Sequence, residues 1–336
     1  MITIAKSSDT EREVLFGNAA NRAGISNPSI VEKDFWVCFT LDYLFHKSPW
    51  PHSFIFKGGT SLSKAYNVID RFSEDIDLIM DWRLLGLGVK EPWEDRSKNQ
   101  QDKFNKKAIA DASEFLTKTF VPQMGIDMRG MIGKNVSVCM DQDDEEKCTV
   151  NFFYPHVFNT EYLKQEIRLE IGPLAEWVPS HPVEITSIAA DQFPMAFNQK
   201  HTVVPTVDVE RTFWEKITIL HKTAASYDLK GIPSRYARHY YDIYQMIHSD
   251  VKEKAFCRKE LLEQDIRFKL KFYYVKSASY ETAQIGSLRL VPSATAIKDL
   301  DDDYEHMKDM IYGEKPSFDE IMESIANLEK EINKLT

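Results

Sequence analysis

The chain has 336 residues, which is enough for about two domains with buried cores. Its formal net charge of -10 argues against a protein that coats nucleic acid through many phosphate contacts, although a local basic patch remains compatible with it. No apolar run approaches the ~18–20 residues of a membrane helix. The four cysteines form no Cys-x-x-Cys pair and no secretory signal opens the sequence, so we expect free thiols and a cytoplasmic protein.

The N-terminal part of the chain is expected to be helical. The spacing of apolar residues predicts one helix over residues 10–23, closed by Gly24, and a second helix over residues 30–45. Asp34 and Asp42 fall within the apolar face of the second helix. We expect both acids to lie where this face opens to solvent. The alternative is that one of them turns towards a functional site.

A glycine turn follows, between a short apolar strand and a helix. The strand is predicted over residues 54–56 and stops before Gly58-Gly59. Thr60 and Ser61 are placed to cap a helix whose apolar positions continue to Ile69. Glycines let a backbone approach an anion closely, and a helix N-terminus presents free N–H groups to phosphate. The turn therefore predicts a phosphate-binding element.

Two acids come next, on a second predicted strand. Asp75 and Asp77 share one face because strand side chains alternate with period two, and they lie ~7 Å apart along the strand. Hard oxygen ligands at this spacing can hold Mg²⁺, and a third carboxylate would complete a clamp for phosphoryl transfer. Glu170, on the polar side of the alternating run at 165–171, is the best candidate, and Glu166 is its rival. Taken alone, such a pair of acids is more often structural.

The region between these strands carries further helix and strand signals. We predict a helix over residues 101–120, then a hairpin of strands at 135–140 and 148–154, and a short strand at 183–187. The hairpin turn at 141–146 is strongly acidic. Clustered carboxylates suggest a metal site, but we expect this turn to be a solvated loop of like charges.

Beyond residue 207 the pattern becomes helical, which places a domain boundary near residue 200 and gives domains 1–200, including N-terminal helices at 1–48, and 201–336. Helices are predicted at 208–227, 234–248, 252–273, 300–311 and 317–333.

Two helical positions in this second part bear on function. Lys216 lies at the edge of a packed helix face, so its ammonium must reach solvent or meet an anion, either a phosphate or a nearby acid. Asp242 follows Arg238 by four residues, which predicts an ordinary ion pair on one helix. Arg235, Arg238 and His239 make a locally basic stretch, either a contact surface for RNA or phosphate or a solvated helix face.

The segments KGGTSLSKAY and RFSEDIDL, in this order, resemble the AbiEii-type nucleotidyltransferase toxins of the polymerase-beta-like nucleotidyltransferase superfamily. The later stretches WEK and YYDIY resemble the helical C-terminal part of that family. The resemblance spans about residues 33–244 and is thin over 81–165. It implies an α/β (α+β) nucleotidyltransferase core with a mixed sheet, followed by a C-terminal helical domain.

The resemblance also implies roles for individual residues. The catalytic set would be Asp75, Asp77, Glu170, Lys216 and Asp242, of which the first three would ligate Mg²⁺. By the same resemblance, Gly58, Gly59 and Thr60 would bind the nucleotide phosphates. Ser61 and Ser73 are further candidates for nucleotide contacts. Lys64, one turn into the helix after the glycines, either reaches phosphate or is an ordinary surface lysine.

The function implied is Mg²⁺-dependent transfer of a nucleotidyl group from an NTP to an acceptor. The family suggests a toxin of a type IV toxin–antitoxin or phage-defence system, with tRNA as a candidate acceptor and an antitoxin as partner. Two alternatives stay open. One is a non-catalytic protein that binds nucleotide or a partner on the same fold, and the other is a nucleotidyltransferase that modifies a protein or a small molecule.

Overall fold

The computed structural model describes residues 1–133, 136–159, 163–174 and 179–335, except for the side chains of 227–230. It separates into two compact units. The first combines Met1–Ala65 with Ser73–Val207, and the second combines Tyr66–Phe72 with the chain from Asp208 onward. Within the described ranges, no helix is long and apolar enough to cross a membrane.

The first unit is built on a mixed sheet, which confirms the predicted fold class. Over the described residues the sheet has seven strands in the order β3-β4-β5-β2-β1-β7-β6. Strands β1 and β2 are antiparallel, whereas β2 pairs with β5, and β1 with β7, in parallel. The strands are β1 Phe54–Lys57, β2 Ile76–Met80, β3 Ser137–Met140, β4 Thr149–Phe153, β5 Ile167–Gly172, β6 Ser180–Thr186 and β7 His201–Val207.

Helices cover the sheet and differ in detail from the predictions. The helical segment predicted over residues 101–120 is longer in the structure and continues to Ile132. A π-helical turn joins its two helices, and Pro122 lies in the first turn of the second helix, where a missing N–H is tolerated. The helices of this unit are α1 Ile2–Lys6, α2 Asp9–Ala23, α3 Pro28–His46, α4 Gly58–Lys64, α5 Lys98–Phe115, α6 Val121–Ile132 and α7 Ile188–Gln192.

Helix α3 lies at the centre of this unit and is buried on every side from Ser29 to Phe45. Its aromatic side chains form a cluster in which Phe35 contacts Phe16, and Trp36 stacks on Tyr154 with ring centroids 5.6 Å apart. Because protein surrounds this helix on every side, its charged residues are buried as well.

The expectation that Asp34 and Asp42 face solvent is wrong. Asp34 is 2.7 Å from the ammonium of Lys64 and accepts a hydrogen bond of 2.6 Å from the backbone N–H of Ile188. Asp42 pairs with Lys47 and accepts hydrogen bonds from the Gln199 amide and the Thr202 hydroxyl. Both carboxylates thus tie α3 to neighbouring segments.

Two more charges of α3 reach other loops. The Lys33 ammonium lies 2.6 Å from Glu74, the residue directly before the first predicted site acid. The Glu32 carboxylate accepts hydrogen bonds of 2.8 and 3.1 Å from the backbone N–H groups of Val157 and Phe158. Each buried charge therefore has a partner, as its cost of desolvation requires.

Helix α4, which follows the glycine turn, is shorter than predicted. It begins at Gly58, one residue after its N-cap Lys57, and ends at Lys64. Thr60 and Ser61 therefore lie inside the helix instead of capping it. The apolar positions up to Ile69 are not on this helix, because Tyr66–Phe72 belongs to the second unit.

The hairpin forms as predicted between β3 and β4, although residues 134 and 135 of its first predicted strand lie outside the described residues. Its acidic turn is not merely solvated. Asp141 is buried and lies 2.9 Å from Arg168, and Asp144 accepts a hydrogen bond of 2.8 Å from the Cys148 backbone N–H. Strand β7 was not predicted, and all four cysteines are free thiols.

The second unit is helical, as predicted, with one helix of the prediction divided into α10 and α11. Its helices are α8 Val209–Lys230, α9 Ala237–Ile247, α10 Val251–Phe256, α11 Glu260–Phe272, α12 Ala294–Met307 and α13 Phe318–Ile332. The segment Tyr66–Phe72 is attached to it through main-chain hydrogen bonds of 2.8 Å, from Phe72 to Met310 and from Tyr312 to Asp70. The covalent link between the glycine turn and the site acids thus runs through the helical unit.

Glu32 predicts a specific dependence of stability on pH. Burial raises the pKa of Glu32 to about 7, against the effect of its two backbone N–H donors. The folded state therefore binds more protons than the unfolded state between about pH 4.5 and pH 7, so stability falls as pH rises through this range. We expect the free energy of unfolding of the wild type, relative to Glu32→Gln, to fall by about 3 kcal/mol between pH 5 and pH 8.

Urea unfolding at both pH values measures this difference. Glu114→Gln, at an exposed ion pair, is the matched control and should follow the wild type. A difference between wild type and Glu32→Gln that is the same at both pH values would contradict the assignment.

Candidate active site

The predicted acids of the first unit lie on one polar face of the sheet. The strand register places Lys57 opposite Asp77, and Asp77 level with Glu170. Level residues on neighbouring strands point to the same side. Glu170, the predicted third acid, is therefore the direct cross-strand neighbour of Asp77.

Glu166 is less suited to that role. It lies directly before β5, about 13 Å along the strand direction from Glu170 at ~3.3 Å per residue. Its carboxylate is largely buried and lies 3.8 Å from the Lys164 ammonium. The register thus favours Glu170 over Glu166 as the acid beside Asp77.

Asp75 lies just outside the strand, one residue before β2. Its carbonyl oxygen accepts a hydrogen bond from the hydroxyl of Thr60. The hydroxyl of Ser61 is used in a similar way, since it donates to the carbonyl oxygen of Gly58 at 2.8 Å. The side chains of Thr60 and Ser61 therefore brace α4 and the acid-bearing segment.

The other predicted nucleotide contacts differ in their surroundings. Lys64 is almost fully buried against Asp34, and although burial opposes its charge, Asp34 holds the pKa of Lys64 above its ordinary value. Its ammonium is thus engaged inside the protein. Gly59 and Ser73 are partly exposed.

Gly58 is in close contact with the carboxylate of Asp77. Its φ of 79° lies in the left-handed region, and a Cβ atom at this position would lie 1.9 Å from Oδ2 of Asp77. Glycine therefore satisfies two requirements here, the backbone conformation and the space beside the acid. The carboxylate of Asp77, which would ligate a metal, thus lies in the space that a side chain at residue 58 would fill.

Glu170 is 45% exposed, and its carboxylate contacts an arginine on its own strand. Nε of Arg168 lies 3.1 Å from Oε1 of Glu170, and Nη1 lies 2.9 Å from Oδ2 of Asp141. Partial burial opposes the charge of Arg168, but Glu170, Asp141 and Asp75 raise its pKa above the ordinary value. Arg168 is therefore the cation next to the acids on this face.

The donors fit a hard divalent cation by type, because Asp75, Asp77 and Glu170 offer carboxylate oxygens, and the glycine at 58 lets the backbone pack directly against one of these carboxylates. In the part of the chain that the structure describes, however, no three acidic, histidine or cysteine side chains converge as a metal site. The carboxylate of Glu170 instead contacts the guanidinium of Arg168, with Oε1 3.1 Å from Nε.

The second unit contains the other predicted catalytic residues in one buried cluster. Asp242 is fully buried and accepts two hydrogen bonds from Arg71, Nε to Oδ1 at 2.7 Å and Nη2 to Oδ2 at 2.8 Å. Nζ of Lys216 also lies 2.8 Å from Oδ2 of Asp242. The structure thus brings Lys216 and Asp242 together and adds Arg71 to them.

The charges in this cluster act on one another. Burial would raise the pKa of Asp242, but Arg71 and Lys216 outweigh it and hold the pKa below its ordinary value. Burial lowers the pKa of Lys216, and Arg71 adds to this effect, whereas Asp242 opposes it. Burial and the neighbouring cations also hold the pKa of His239 well below its ordinary value, so this imidazole is neutral.

The partners of Asp242 differ from the sequence prediction. Arg238, four residues earlier, was expected to pair with it, whereas the partners are Lys216 on α8 and Arg71, which lies 171 positions away in the chain. Sequence reasoning also missed the role of Arg168. Its place in the alternating run, on the same side as Glu166 and Glu170, was the signal that could have identified it.

Gly58 yields a test by substitution. Gly58→Ala places a methyl group against the Asp77 carboxylate and strains a left-handed backbone, so we expect a loss of about 1–3 kcal/mol in the free energy of unfolding. Gly24→Ala is the matched control, because Gly24 has a φ of 70° but no atom within 4 Å of its Cβ position. Urea unfolding of both variants should show the larger loss for Gly58→Ala, and equal losses would contradict the contact with Asp77.

Comparisons with known proteins bear on the family of this chain. The model of one protein family matches residues 42–324, and its description is "Nucleotidyl transferase AbiEii toxin, Type IV TA system". Among solved structures, the chain is similar to "MenT4, nucleotidyltransferase toxin Rv2826c from Mycobacterium tuberculosis H37Rv" at 14% identity, with 95% of this chain and 99% of that chain covered and a TM-score of 0.47. No match is found among curated proteins.

The family match covers most of the chain and includes both predicted clusters of site residues. It confirms the resemblance carried by the glycine turn and the two acids. The protein belongs to the AbiEii family of nucleotidyltransferase toxins and is a nucleotidyltransferase.

Proposed function

We propose that this nucleotidyltransferase toxin transfers a nucleotidyl group from an NTP to a hydroxyl of tRNA in a reaction that needs Mg²⁺. The observation that carries the proposal is that Asp77 and Glu170 are level on neighbouring strands and that Gly58 packs directly against the carboxylate of Asp77. Such an arrangement suits a metal-bound triphosphate. We further propose a cytoplasmic location, a role in phage defence, and a cognate antitoxin of the kind that the type IV family description implies.

Asp75, Asp77 and Glu170 would hold the metal. When bound, Mg²⁺ would neutralise phosphate oxygens and orient the α-phosphate for attack by the acceptor hydroxyl. The side chain of Glu170 is partly exposed, which suits it to meet the acceptor as well.

The turn at Gly58-Gly59 would approach the β- and γ-phosphates through its backbone. Thr60 and Ser61 would contribute through their positions, because their hydroxyls already donate to backbone carbonyl groups. Lys64 would act indirectly, because its ion pair with Asp34 on α3 holds α4 in place. Ser73 remains a proposed nucleotide contact two residues before the first acid.

Lys216 and Asp242 are proposed to act on the leaving pyrophosphate. Arg71 and Lys216 both contact the carboxylate of Asp242, which brings two cations and one anion together in a buried place. Cations held in fixed positions can stabilise an anionic ligand. Asp242 would position Lys216, and Lys216 would stabilise the charge that develops on pyrophosphate.

The choice of acceptor depends on the local basic stretch. Arg235 is exposed and its backbone N–H is fixed by Asp303 at 2.6 Å, while Arg238 is partly exposed. Exposed and partly exposed arginines in an otherwise acidic chain suit contact with RNA phosphates. Two other proposals compete with this one. In the first, the same nucleotidyl transfer modifies a protein or a small molecule, and in the second, the protein binds nucleotide or a partner and catalyses no reaction.

One assay separates these proposals. The protein is incubated with Mg²⁺ and each of the four α-³²P-labelled NTPs, with and without total tRNA, and the label is followed in RNA, in protein and in small molecules. We expect label in RNA with the wild type and a loss of at least about 100-fold for Asp75→Ala, because metal and substrate positioning are lost together. Label only in protein or small molecules would reject tRNA, and unchanged transfer by Asp75→Ala would reject the metal site.

Lys216→Met tests the second cluster. Arg71 remains to pair with Asp242, so we expect a small effect on stability and a fall in transfer rate of about 100-fold. Lys222→Met, on the same helix α8, is the matched control and should transfer like the wild type. The proposal fails if both variants lose activity equally or if Lys216→Met retains full activity.

A further inference from the structure

Arg168 occupies a particular position on the polar face of the sheet. Its guanidinium bridges Glu170 and Asp141 through contacts of 3.1 and 2.9 Å, and Asp75 contributes to its electrostatic surroundings. The guanidinium and a divalent cation would therefore use the same carboxylate of Glu170. Because both are positive, each weakens the binding of the other.

Arg168 is not needed to hold the hairpin turn. Oδ1 of Asp141 accepts a hydrogen bond of 2.9 Å from the backbone N–H of Asp143, and the Asp141 backbone N–H donates to Thr149 at 2.9 Å. The Asp141 carboxylate is thus fixed independently. It forms an anchor on one side of the guanidinium, while the partner on the other side, Glu170, is partly exposed.

Asn151 offers a second place for the guanidinium. The register puts Asn151 on β4 directly opposite Arg168 on β5, where side chains stand about 4.5–5.5 Å apart. Asn151 is only 7% exposed, and within the described part of the chain its Oδ1 atom accepts no hydrogen bond. A buried carbonyl oxygen without a donor is unfavourable, and the nearest arginine on the same face can supply one.

We propose that Arg168 is a two-position residue that controls the third metal ligand. In one position it binds Glu170 and keeps this carboxylate from the cation. In the other it stays anchored on Asp141, turns to Oδ1 of Asn151 and releases Glu170 to complete the metal site. The inference deepens the proposed function and rests on it, and it makes Arg168 a positioning residue for the nucleotidyl transfer.

The test measures metal binding in the absence of NTP. Mn²⁺ serves as a probe for Mg²⁺, and free Mn²⁺ is followed by electron paramagnetic resonance in titrations of the full-length protein. We expect Arg168→Gln to bind Mn²⁺ about tenfold more tightly than the wild type, because the competing cation is gone. Asp77→Asn should abolish the same binding, which identifies the site.

The matched control is Arg83→Gln, which removes an arginine paired with Asp81 beyond the other end of β2. Its affinity for Mn²⁺ should equal that of the wild type. If Arg83→Gln increased the affinity for Mn²⁺ as much as Arg168→Gln does, the effect would come from the change in net charge alone, and the inference would be overturned. Unchanged or weaker binding in Arg168→Gln would also overturn it, while loss of binding in Asp77→Asn would leave the proposed function standing.

Asn151→Leu tests the second position of the guanidinium. Leucine has a similar size and removes an unsatisfied polar group, so the fold should keep its stability. We expect Asn151→Leu to weaken Mn²⁺ binding in the wild type but not in the Arg168→Gln background, since only a guanidinium needs the amide oxygen. Equal weakening in both backgrounds would overturn this position. Mn²⁺ binding that is the same in the wild type and Asp77→Asn would reject the proposed metal site itself.

Discussion

The cost of burying a charge governs how this protein is put together. A buried ion is tolerated only when another charge or several hydrogen-bond donors compensate for the water it loses. Helix α3 shows this most clearly. Its buried Lys33 pairs with Glu74, which directly precedes the acids, and its buried Asp34 pairs with Lys64, the last residue of α4. These ion pairs fix the glycine turn and the acid-bearing segment on one rigid helix. The geometry of the predicted site therefore depends on partners that lie outside it.

Much of the first unit could be predicted from the sequence, because the relevant signals are local. Alternation with period two predicted β2 and β5, and it put Asp77 and Glu170 on polar faces before any register was known. The length of α4 could not be predicted, since residues after Lys64 leave for the helical unit and this depends on tertiary contacts. Strand β7 could not be predicted either, because its sequence HTVVPTV shows no alternation of polar and apolar residues, contains a proline and lies next to a strong helix signal.

Local sequence patterns could not predict which residues pair in long-range ion pairs. The spacing of Arg238 and Asp242 predicted a pair at i and i+4, which contributes only ~0.3–0.5 kcal/mol on a helix surface. A fully buried carboxylate needs more than that, and Arg71 and Lys216 provide it from distant parts of the chain. The burial of Asp242, and not its spacing, decides which cation it binds. A single sequence carries no direct signal of that burial.

The two clusters carry opposite imbalances of charge, and this difference fits the proposed division of labour. On the sheet, four acids lie near two cations. The acids are Asp75, Asp77, Asp141 and Glu170, and the cations are Lys57 and Arg168. An excess of carboxylates favours a divalent cation.

In the helical unit the imbalance is reversed, since Arg71 and Lys216 share one carboxylate. An excess of buried positive charge favours the phosphates of a nucleotide. A metal–triphosphate complex carries both kinds of charge at once, and each cluster suits one of them. Three residues of chain, 72–74, separate Arg71 from Asp75, so the segment Tyr66–Phe72, which belongs to the helical unit, is followed almost directly by the acids of the first unit.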